Sequence, residues 1–155
     1  MSLAITLRED DLSGPEIKAL LEAHLMNAAL HSPPESVHAL DMAALRASNI
    51  TFWTAWQGEA LLACGALKEL EAGHGEIKSM HTAQAHRGKG VAGLLVARIL
   101  EEAELRSYKR ISLETGSMEA YAPARGLYGR FGFEECPPFG DYEPDPHSFF
   151  MTRVL

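Results

Sequence analysis

The stretch from Glu76 to Glu104 constrains the fold of this chain more than any other. It contains a strand candidate, a glycine-rich turn and a helix candidate whose apolar side chains recur three and four positions apart, at Val91, Leu94, Leu95 and Ile99. The first N–H groups of a helix lack partners within it, and the helix dipole favours negative charge there, so this arrangement binds anions. Gly88 and Gly90 let the backbone approach a phosphate, and Arg87 and Lys89 add positive charge.

Two ligand classes fit the glycine turn. The spacing Gly88-x-Gly90-x-x-Gly93, followed by Glu114 at the end of the next strand candidate, matches a dinucleotide-binding fingerprint with an acid for the ribose. Two features argue against a dinucleotide site. Residues 83–86 separate the strand from the turn, and too little chain follows for a long series of βα units. The second pattern, Arg87-x-x-Gly90-x-Ala92, is that of a pyrophosphate-binding turn.

On this second pattern the sequence resembles the GNAT superfamily of acetyl-CoA-dependent N-acetyltransferases. A downstream segment, Leu127-Tyr128-x-x-x-Gly132-Phe133, is similar to the Leu-Tyr-x-x-x-Gly-Phe signature of that family. Either motif alone is modest support, but the two together favour the GNAT family strongly. The resemblance covers essentially the whole chain.

Hydrophobic periodicity and turn residues predict alternating strands and helices. Strands are expected at 4–8, 50–56, 60–67, 110–115 and 148–154, with others beginning at 76 and 132. Helices are expected from 15 to before 32, from 35 or 36 to 47, over 91–104 and over 123–131. The resemblance implies a GNAT fold of the α/β (α+β) type, with a mixed, mostly antiparallel sheet of six or seven strands flanked by about four helices. At 155 residues, a single domain spanning 1–155 is expected.

The resemblance also implies a site for acetyl-CoA as co-substrate. The strand that carries Met80 and Thr82 would lie alongside the pantetheine arm, and a backbone N–H near Met80 would polarise the acetyl carbonyl. His81 should point to the opposite face of that strand. Many family members have an asparagine at a coenzyme contact where this chain has Tyr121. The expected cofactor-binding residues are Met80, His81, Thr82, Arg87, Gly88, Lys89, Gly90, Val91, Ala92, Gly93 and Tyr121.

Acetyl transfer to an amine needs a deprotonated amine, a hydrogen bond to the developing oxyanion and a proton for the departing thiolate. Tyr128 matches the tyrosine that many GNAT enzymes place near the coenzyme sulfur as a proposed general acid; its alternative is a packed aromatic ring. Glu76 has the strand position of the glutamate base in histone-type members; its alternative is a solvent-facing residue at a hairpin exit. Glu114 is the second candidate for the base, since its strand is expected beside that of Glu76.

Composition and charge limit the classes of partner and the cellular compartment that are expected. The net charge of −7 argues against nucleic-acid binding, which requires a clustered positive surface, and weakly favours a cationic or amine acceptor. No apolar run approaches the length of a membrane span and no secretory signal is visible, so a cytoplasmic protein without a membrane partner is expected. The seven histidines show no metal-ligand spacing, so no metal is expected, and Cys64 and Cys136 are expected to be buried.

The predicted activity is direct transfer of acetyl from acetyl-CoA to a primary amine of a small molecule or a peptide. The first alternative is a non-catalytic acyl-CoA-binding or regulatory domain. The second is a nicotinamide-dinucleotide module, which the length of the chain and the position of the turn disfavour. Members of the family are often dimeric, so a homodimer is one expected assembly.

A loop at 137–146 is expected to form one wall of the acceptor pocket. Its acids, including Asp141 and Glu143, would attract a cation. His31 and His38 flank a proline corner that the resemblance places near the same cleft. They are either substrate contacts or solvated histidines at helix ends.

Overall fold

The computed structural model describes residues 4–155, which form one seven-stranded sheet with helices on both faces. The strands are β1 (Ile5–Glu9), β2 (Ile50–Gln57), β3 (Ala60–Glu71), β4 (His74–Thr82), β5 (Arg110–Gly116), β6 (Glu134–Glu135) and β7 (Ser148–Val154). The helices are α1 (Pro15–His31), α2 (Met42–Leu45), α3 (Val91–Leu105) and α4 (Ala122–Arg130).

The strand order across the sheet is β1-β2-β3-β4-β5-β7-β6. Every neighbouring pair is antiparallel except β4 and β5, which are parallel and are joined through α3. The predicted fold class, a mixed and mostly antiparallel sheet with four helices, is therefore confirmed. Within residues 4–155, no helix is both long and apolar enough to cross a bilayer.

Two hydrophobic cores lie on the two faces of the sheet, because alternate residues of each strand point to opposite sides. Trp53 packs with the α3 side chains Leu95 and Ile99 on one face. Its neighbour Phe52 packs with Ile17 of α1 on the other face. Burial of each large apolar side chain stabilises the fold by about 1.5–3 kcal/mol.

The predicted second helix is much shorter than expected. The proline corner forms a 3₁₀ turn at Pro34–Ser36, and α2 begins only after Asp41, whose side chain caps the Ala44 N–H at 2.8 Å. Between them the chain is not helical, and the carbonyl of His38 accepts a hydrogen bond from Lys78 Nζ at 3.1 Å. This carbonyl is therefore bonded to a side chain of β4 rather than to the N–H of a helical turn.

The strand predicted from residue 132 is also short. Gly132 has a φ of 87°, which favours a turn, and β6 pairs with β7 through only Glu134 and Glu135. Pro137 and Pro138 then prevent further pairing, because proline has no N–H to donate. The chain leaves the sheet here as a long loop that returns at Ser148.

Candidate active site

The parallel strands β4 and β5 separate at the point where the site lies. Their pairing covers residues 74–77 and 110–113, whereas β4 continues to Thr82 and β5 to Gly116. On its other side β4 stays paired with β3 as far as Thr82, which lies opposite Ala63. The edge of β4 that faces β5 is thus open over its last residues, and an extended molecule can bond to it as an added strand.

A β-bulge lies at the start of this open edge. Two β4 residues, Ser79 and Met80, oppose the single β3 residue Gly65, and Ser79 has a φ of 55°. A side chain at Gly65 would collide with Met80 Sδ, so the glycine makes room for the bulge. Met80 packs on the α3 face of the sheet, whereas His81 contacts His24 of α1, which confirms that they point to opposite faces.

The glycine turn follows the open edge and is exposed to solvent. Gly88 (φ 81°) and Gly90 (φ 78°) both have left-handed backbone, and no described atom lies within 4 Å of the position that a Cβ would take at either. Gly90 precedes α3, whose N-terminus has no side-chain cap. Arg87 Nε donates to the Thr82 carbonyl at 3.3 Å, and Lys89 is exposed two residues further on. Open space, uncapped N–H groups and two cations make this turn fit a pyrophosphate.

The remaining residues of the predicted turn belong to the first turn of α3. The Val91 side chain is buried in the core, and a Cβ added at Gly93 would be in ordinary van der Waals contact with the Phe131 ring of α4. Ala92 lies between them and is half-buried. Only the backbone N–H groups of Val91 and Gly93 therefore suit a ligand at the turn, since their Cα and side-chain surfaces pack inward.

A cavity of about 140 Å³ opens where β4 and β5 separate; we call it the strand-end cavity. Ser79 and Met80 line it from β4, Glu114 from β5, Tyr128 from α4 and His24 from α1. The cavity therefore brings a phenol and a carboxylate together beside the open edge of β4. A phenol can donate a proton and a carboxylate can accept one, so the two can act as a general acid and a general base.

Tyr128 is consistent with both interpretations that the sequence left open, a packed aromatic ring and a residue at the site. Its side chain is 6% exposed, and its ring lies edge-on to Phe133 with the centroids 5.9 Å apart, so it is a packed aromatic. It also lines the strand-end cavity. Burial raises the pKa of Tyr128 well above its ordinary value, so the phenol is protonated at neutral pH.

Glu114, which is on β5, lines the strand-end cavity across from β4. Burial raises the pKa of Glu114 to about 7, and the nearby Ser148 hydroxyl and Lys78 ammonium oppose that rise. A carboxyl group with a pKa near neutrality gains and loses a proton readily at physiological pH.

Glu76 is 2% exposed, which removes the solvent-facing interpretation. Its Oε2 accepts hydrogen bonds from the Tyr142 hydroxyl at 2.6 Å and from Lys78 Nζ at 3.4 Å. Lys78 Nζ also donates to the Tyr142 hydroxyl oxygen at 2.8 Å, which closes a three-membered network. Burial, and then the charge of Glu76, raises the pKa of Tyr142, so that side chain remains a neutral donor.

A larger cavity of about 630 Å³ lies over β4 beneath the loop between β6 and β7; we call it the loop cavity. Phe139 and Tyr142 of this loop pack against Phe150, with ring centroids 5.9 and 5.4 Å away. The carboxylates that line it are Glu35, Glu71, Glu76, Asp141, Glu143 and Asp145. The loop predicted to form a pocket wall does line a cavity, and His38 lies on the wall of both cavities.

Two histidines join α1 to β4 beside the strand-end cavity. The Nδ1 atoms of His24 and His81 are 3.2 Å apart, so one ring donates and the other accepts. Burial lowers the pKa of both His24 and His81 to about 4, with smaller contributions from neighbouring positive groups. The two rings are therefore neutral at pH 7, and each neutral imidazole has one donor and one acceptor nitrogen, so the pair can form this hydrogen bond.

Tyr121 lies on the wall of the strand-end cavity rather than at the glycine turn. Its ring covers Gly116, where any side chain would collide with it, and its hydroxyl lies 3.3 Å from Ser32 Oγ. His31 packs edge-on against the same ring at 6.2 Å. Tyr121 therefore links the end of α1 to the end of β5, and its expected contact with the coenzyme stays a prediction.

Lys78, Ser79 and His24 are site residues that the sequence did not suggest. Lys78 follows Glu76 by two positions in a strand, so their shared face was available as a signal. Ser79 gave no signal, because its bulge depends on the register with β3. Within residues 4–155, no group of three or more His, Cys, Asp or Glu side chains is arranged to hold a metal.

Comparison with known proteins agrees with this geometry. The profile of the Acetyltransferase (GNAT) family matches residues 17–133. The uncharacterized N-acetyltransferase YsnE of Bacillus subtilis is 54% identical over 149 residues, which are 96% of this chain and 99% of that protein. The uncharacterized N-acetyltransferase YedL of Escherichia coli is 45% identical over 150 residues, which are 97% of this chain and 94% of that protein.

Solved structures share the fold. A crystal structure from Klebsiella pneumoniae, provisionally named an acyl-CoA N-acyltransferase, has a TM-score of 0.77 at 26% identity and covers 97% of each chain. A GNAT family acetyltransferase from Elizabethkingia anophelis with acetyl-CoA bound has a TM-score of 0.70 at 18% identity, over 97% of this chain and 98% of that one. Because the family profile spans most of the sequence and relatives named N-acetyltransferases match it nearly end to end, the chain belongs to the GNAT family and is an N-acetyltransferase.

Proposed function

We propose that the protein transfers an acetyl group from acetyl-CoA directly to a primary amine in the strand-end cavity. The observation that carries this proposal is the position of Tyr128 and Glu114 on the walls of one cavity, beside the open edge of β4. The dinucleotide alternative requires a series of parallel βα units, whereas β4 and β5 are the one parallel pair among the strands of residues 4–155.

On this proposal the coenzyme binds along the glycine turn and the open edge of β4. The Gly88 to Gly90 turn and the uncapped start of α3 suit its pyrophosphate, with Arg87 and Lys89 as neighbouring cations. The open edge of β4 suits its pantetheine arm, since free backbone groups there pair with amides. When bound, acetyl-CoA supplies the acetyl group activated as a thioester.

The walls from β4, β5 and α4 then have one task each. The backbone N–H of Met80 donates to the acetyl carbonyl oxygen, where negative charge develops. The amine nitrogen forms a bond to the carbonyl carbon while the carbon–sulfur bond breaks. Glu114 accepts a proton from the amine nitrogen, and Tyr128 gives its phenolic proton to the leaving sulfur; exchange with solvent then restores both groups.

We assign the base to Glu114 rather than to Glu76. Glu114 lines the strand-end cavity and has a pKa near neutrality. Glu76 lines the loop cavity, and its Oε2 already accepts two hydrogen bonds. On this proposal Glu76 fixes Tyr142 and Lys78 at the boundary between the two cavities, where a small-molecule or peptide amine approaches.

The proposal is tested by replacing Tyr128. Release of CoA from acetyl-CoA is followed with a panel of primary amines for the wild type and for Tyr128→Phe. General acid catalysis is worth roughly 10²–10⁴ in rate, so kcat should fall by at least about a hundredfold while acetyl-CoA binding is kept. The matched control is Tyr108→Phe, an equally buried tyrosine (6% exposed) whose hydroxyl binds Glu69 at 3.0 Å and lines neither cavity.

Two results would contradict the proposal. Equal kcat values for Tyr128→Phe and the wild type would exclude Tyr128 as the proton donor. Binding of acetyl-CoA without CoA release for any amine in the panel would favour a non-catalytic acyl-CoA-binding domain.

A further inference from the structure

Ser79 has a buried hydroxyl without a partner. Its side chain is 8% exposed, and its Oγ forms no hydrogen bond with any described residue. The same residue lines the strand-end cavity. Buried hydroxyls in folded proteins almost always have a partner, because an unpaired one loses its hydrogen bonds to water without replacement.

The backbone of Ser79 is also held in an unusual conformation. Its φ of 55° is uncommon for a residue other than glycine, and it results from the bulge opposite Gly65. The Ser79 carbonyl accepts a hydrogen bond from Cys64 Sγ at 3.3 Å, and that thiol is fully buried. The bulge is thus fixed from the β3 side, and it holds the Ser79 hydroxyl at the cavity. Strained backbone with an unpaired polar group is typical of a ligand-binding position.

The neighbours of Ser79 indicate which ligand atom its hydroxyl would bind. Glu114 and Tyr128 reach the cavity from β5 and α4, across the separation of the strands. Ser79 instead precedes Met80 on β4, whose N–H is the donor proposed for the acetyl carbonyl oxygen. A carbonyl oxygen has two lone pairs and accepts two donors.

We propose that the Ser79 hydroxyl donates a hydrogen bond to the acetyl carbonyl oxygen of bound acetyl-CoA, as a second donor beside the Met80 N–H. This inference rests on the proposed function. It gives Ser79 no covalent role: the hydroxyl keeps its proton and stabilises the negative charge that develops on the oxygen. It also gives the bulge a purpose, because a strand without it would place residue 79 in regular pairing with β3.

The test compares the binding of acetyl-CoA with that of CoA, which lacks the carbonyl. Both dissociation constants are measured by calorimetric titration for the wild type, Ser79→Ala and Ser79→Gly. We expect the Kd of acetyl-CoA to rise about three- to tenfold in both variants, the range that one neutral hydrogen bond gives, while the Kd of CoA changes by less than about twofold.

The two variants separate the hydroxyl from the backbone strain. Ser79→Ala removes the hydroxyl and keeps a residue that disfavours positive φ, whereas Ser79→Gly removes the hydroxyl and relieves the strain. A selective loss of acetyl-CoA affinity in both variants supports the inference. An equal change for both ligands, no change for either, or a loss in Ser79→Ala alone overturns it. If the wild type binds neither ligand, the proposed function itself fails, which is a distinguishable result.

Discussion

Glu76 and Glu114 lie on the same face of the sheet, yet their surroundings give them different chemistry. Glu76 pairs in register with Ser112, so Glu114, two residues further along β5, points to the same side. The sequence identified both acids as base candidates, with Glu76 first and Glu114 second, and we propose the opposite order. The ranking depends on Tyr142, which reaches Glu76 from a loop 66 residues away in sequence and has no readable spacing to it.

Catalysis should depend on the ionisation of Glu114. A base acts in its deprotonated form, so kcat/KM should fall as the pH is lowered through about 7, the pKa to which burial raises Glu114. Glu114→Gln should reduce kcat/KM by about a hundredfold or more and remove this inflection. The measurement is CoA release with a fixed amine between pH 5.5 and 9. Glu76→Gln is the matched control and should keep the inflection; if it loses the inflection and Glu114→Gln keeps it, the assignment is reversed.

The same carboxyl should destabilise the protein at alkaline pH. Its pKa is raised in the folded state to about 7, so between its ordinary pKa and pH 7 the folded state binds more protons than the unfolded state, and stability falls as the pH rises through that window. We expect Glu114→Gln to raise Tm relative to the wild type at pH 8, and by clearly less at pH 5. Calorimetry at both values checks this; an equal shift at the two pH values would contradict the raised pKa.

Elements built from local signals could be predicted from the sequence, and elements that depend on distant contacts could not. The helix at α1 and the strand at β7 lie where the sequence placed them, because the proline that starts α1 and the residue pattern of β7 are local signals. The predicted length of α2 was wrong, because the His38 carbonyl bonds to Lys78 instead of to a helical N–H. The predicted start of β6 was wrong by two residues, because Gly132 (φ 87°) forms a turn before the strand begins at Glu134.

The end of β5 depends on one close approach between a glycine and a ring. A Cβ at Gly116 would overlap the Tyr121 ring, and the Arg125 guanidinium also binds the Gly116 carbonyl at 2.7 Å, so the local backbone has little freedom to move. Gly116→Ala should therefore lower the free energy of unfolding by about 1–3 kcal/mol, the usual cost of overpacking.

A double-mutant cycle isolates that contact. Tyr121→Ala removes the ring, so the cost of Gly116→Ala should be clearly smaller in the Tyr121→Ala background than in the wild type. The free energies of unfolding are measured by urea denaturation of the four proteins. Strictly additive effects of the two substitutions would show that the ring does not press on Gly116.

At the scale of the whole molecule, the order of elements and the fold class could be predicted from the sequence. The positions and linings of the two cavities could not. The strand-end cavity takes its walls from α1, β4, β5 and α4, and the sequence had identified Met80, Glu114, Tyr121 and Tyr128 without placing them around one space. Its wall from α1 was missed, because His24 has the spacing of an ordinary helix face residue. The loop cavity depends on the packing of Phe139 and Tyr142 against Phe150, which no local pattern indicates.

The His24–His81 pair should make the whole protein sensitive to acid. Both pKa values are lowered to about 4, below the ordinary value of 6.5, so the unfolded state binds more protons between these values and stability is lost as the pH falls through that window. Asparagine at both positions keeps a hydrogen bond without a titrating group. Between pH 6.5 and 4.5 the wild type should lose on the order of 2 kcal/mol more stability than the His24→Asn/His81→Asn variant.

The readout is the free energy of unfolding from urea denaturation at the two pH values. His147→Asn, which changes an exposed histidine outside the pair, is the control and should behave as the wild type does. A double variant as sensitive to acid as the wild type would show that the two histidines are not the source of the effect.

The most direct measurement is calorimetric titration of the protein with acetyl-CoA, with Gly90→Asp and Gly73→Asp alongside. Both glycines have positive φ (78° and 83°), so both substitutions add the same charge and similar backbone strain, but Gly90 starts α3 at one end of β4 and Gly73 lies at the other end. We predict that the wild type and Gly73→Asp bind acetyl-CoA alike, whereas Gly90→Asp binds about tenfold more weakly or worse, because a carboxylate then opposes the pyrophosphate. A folded wild-type protein that does not bind acetyl-CoA, or equal binding by all three proteins, would contradict the proposed coenzyme site.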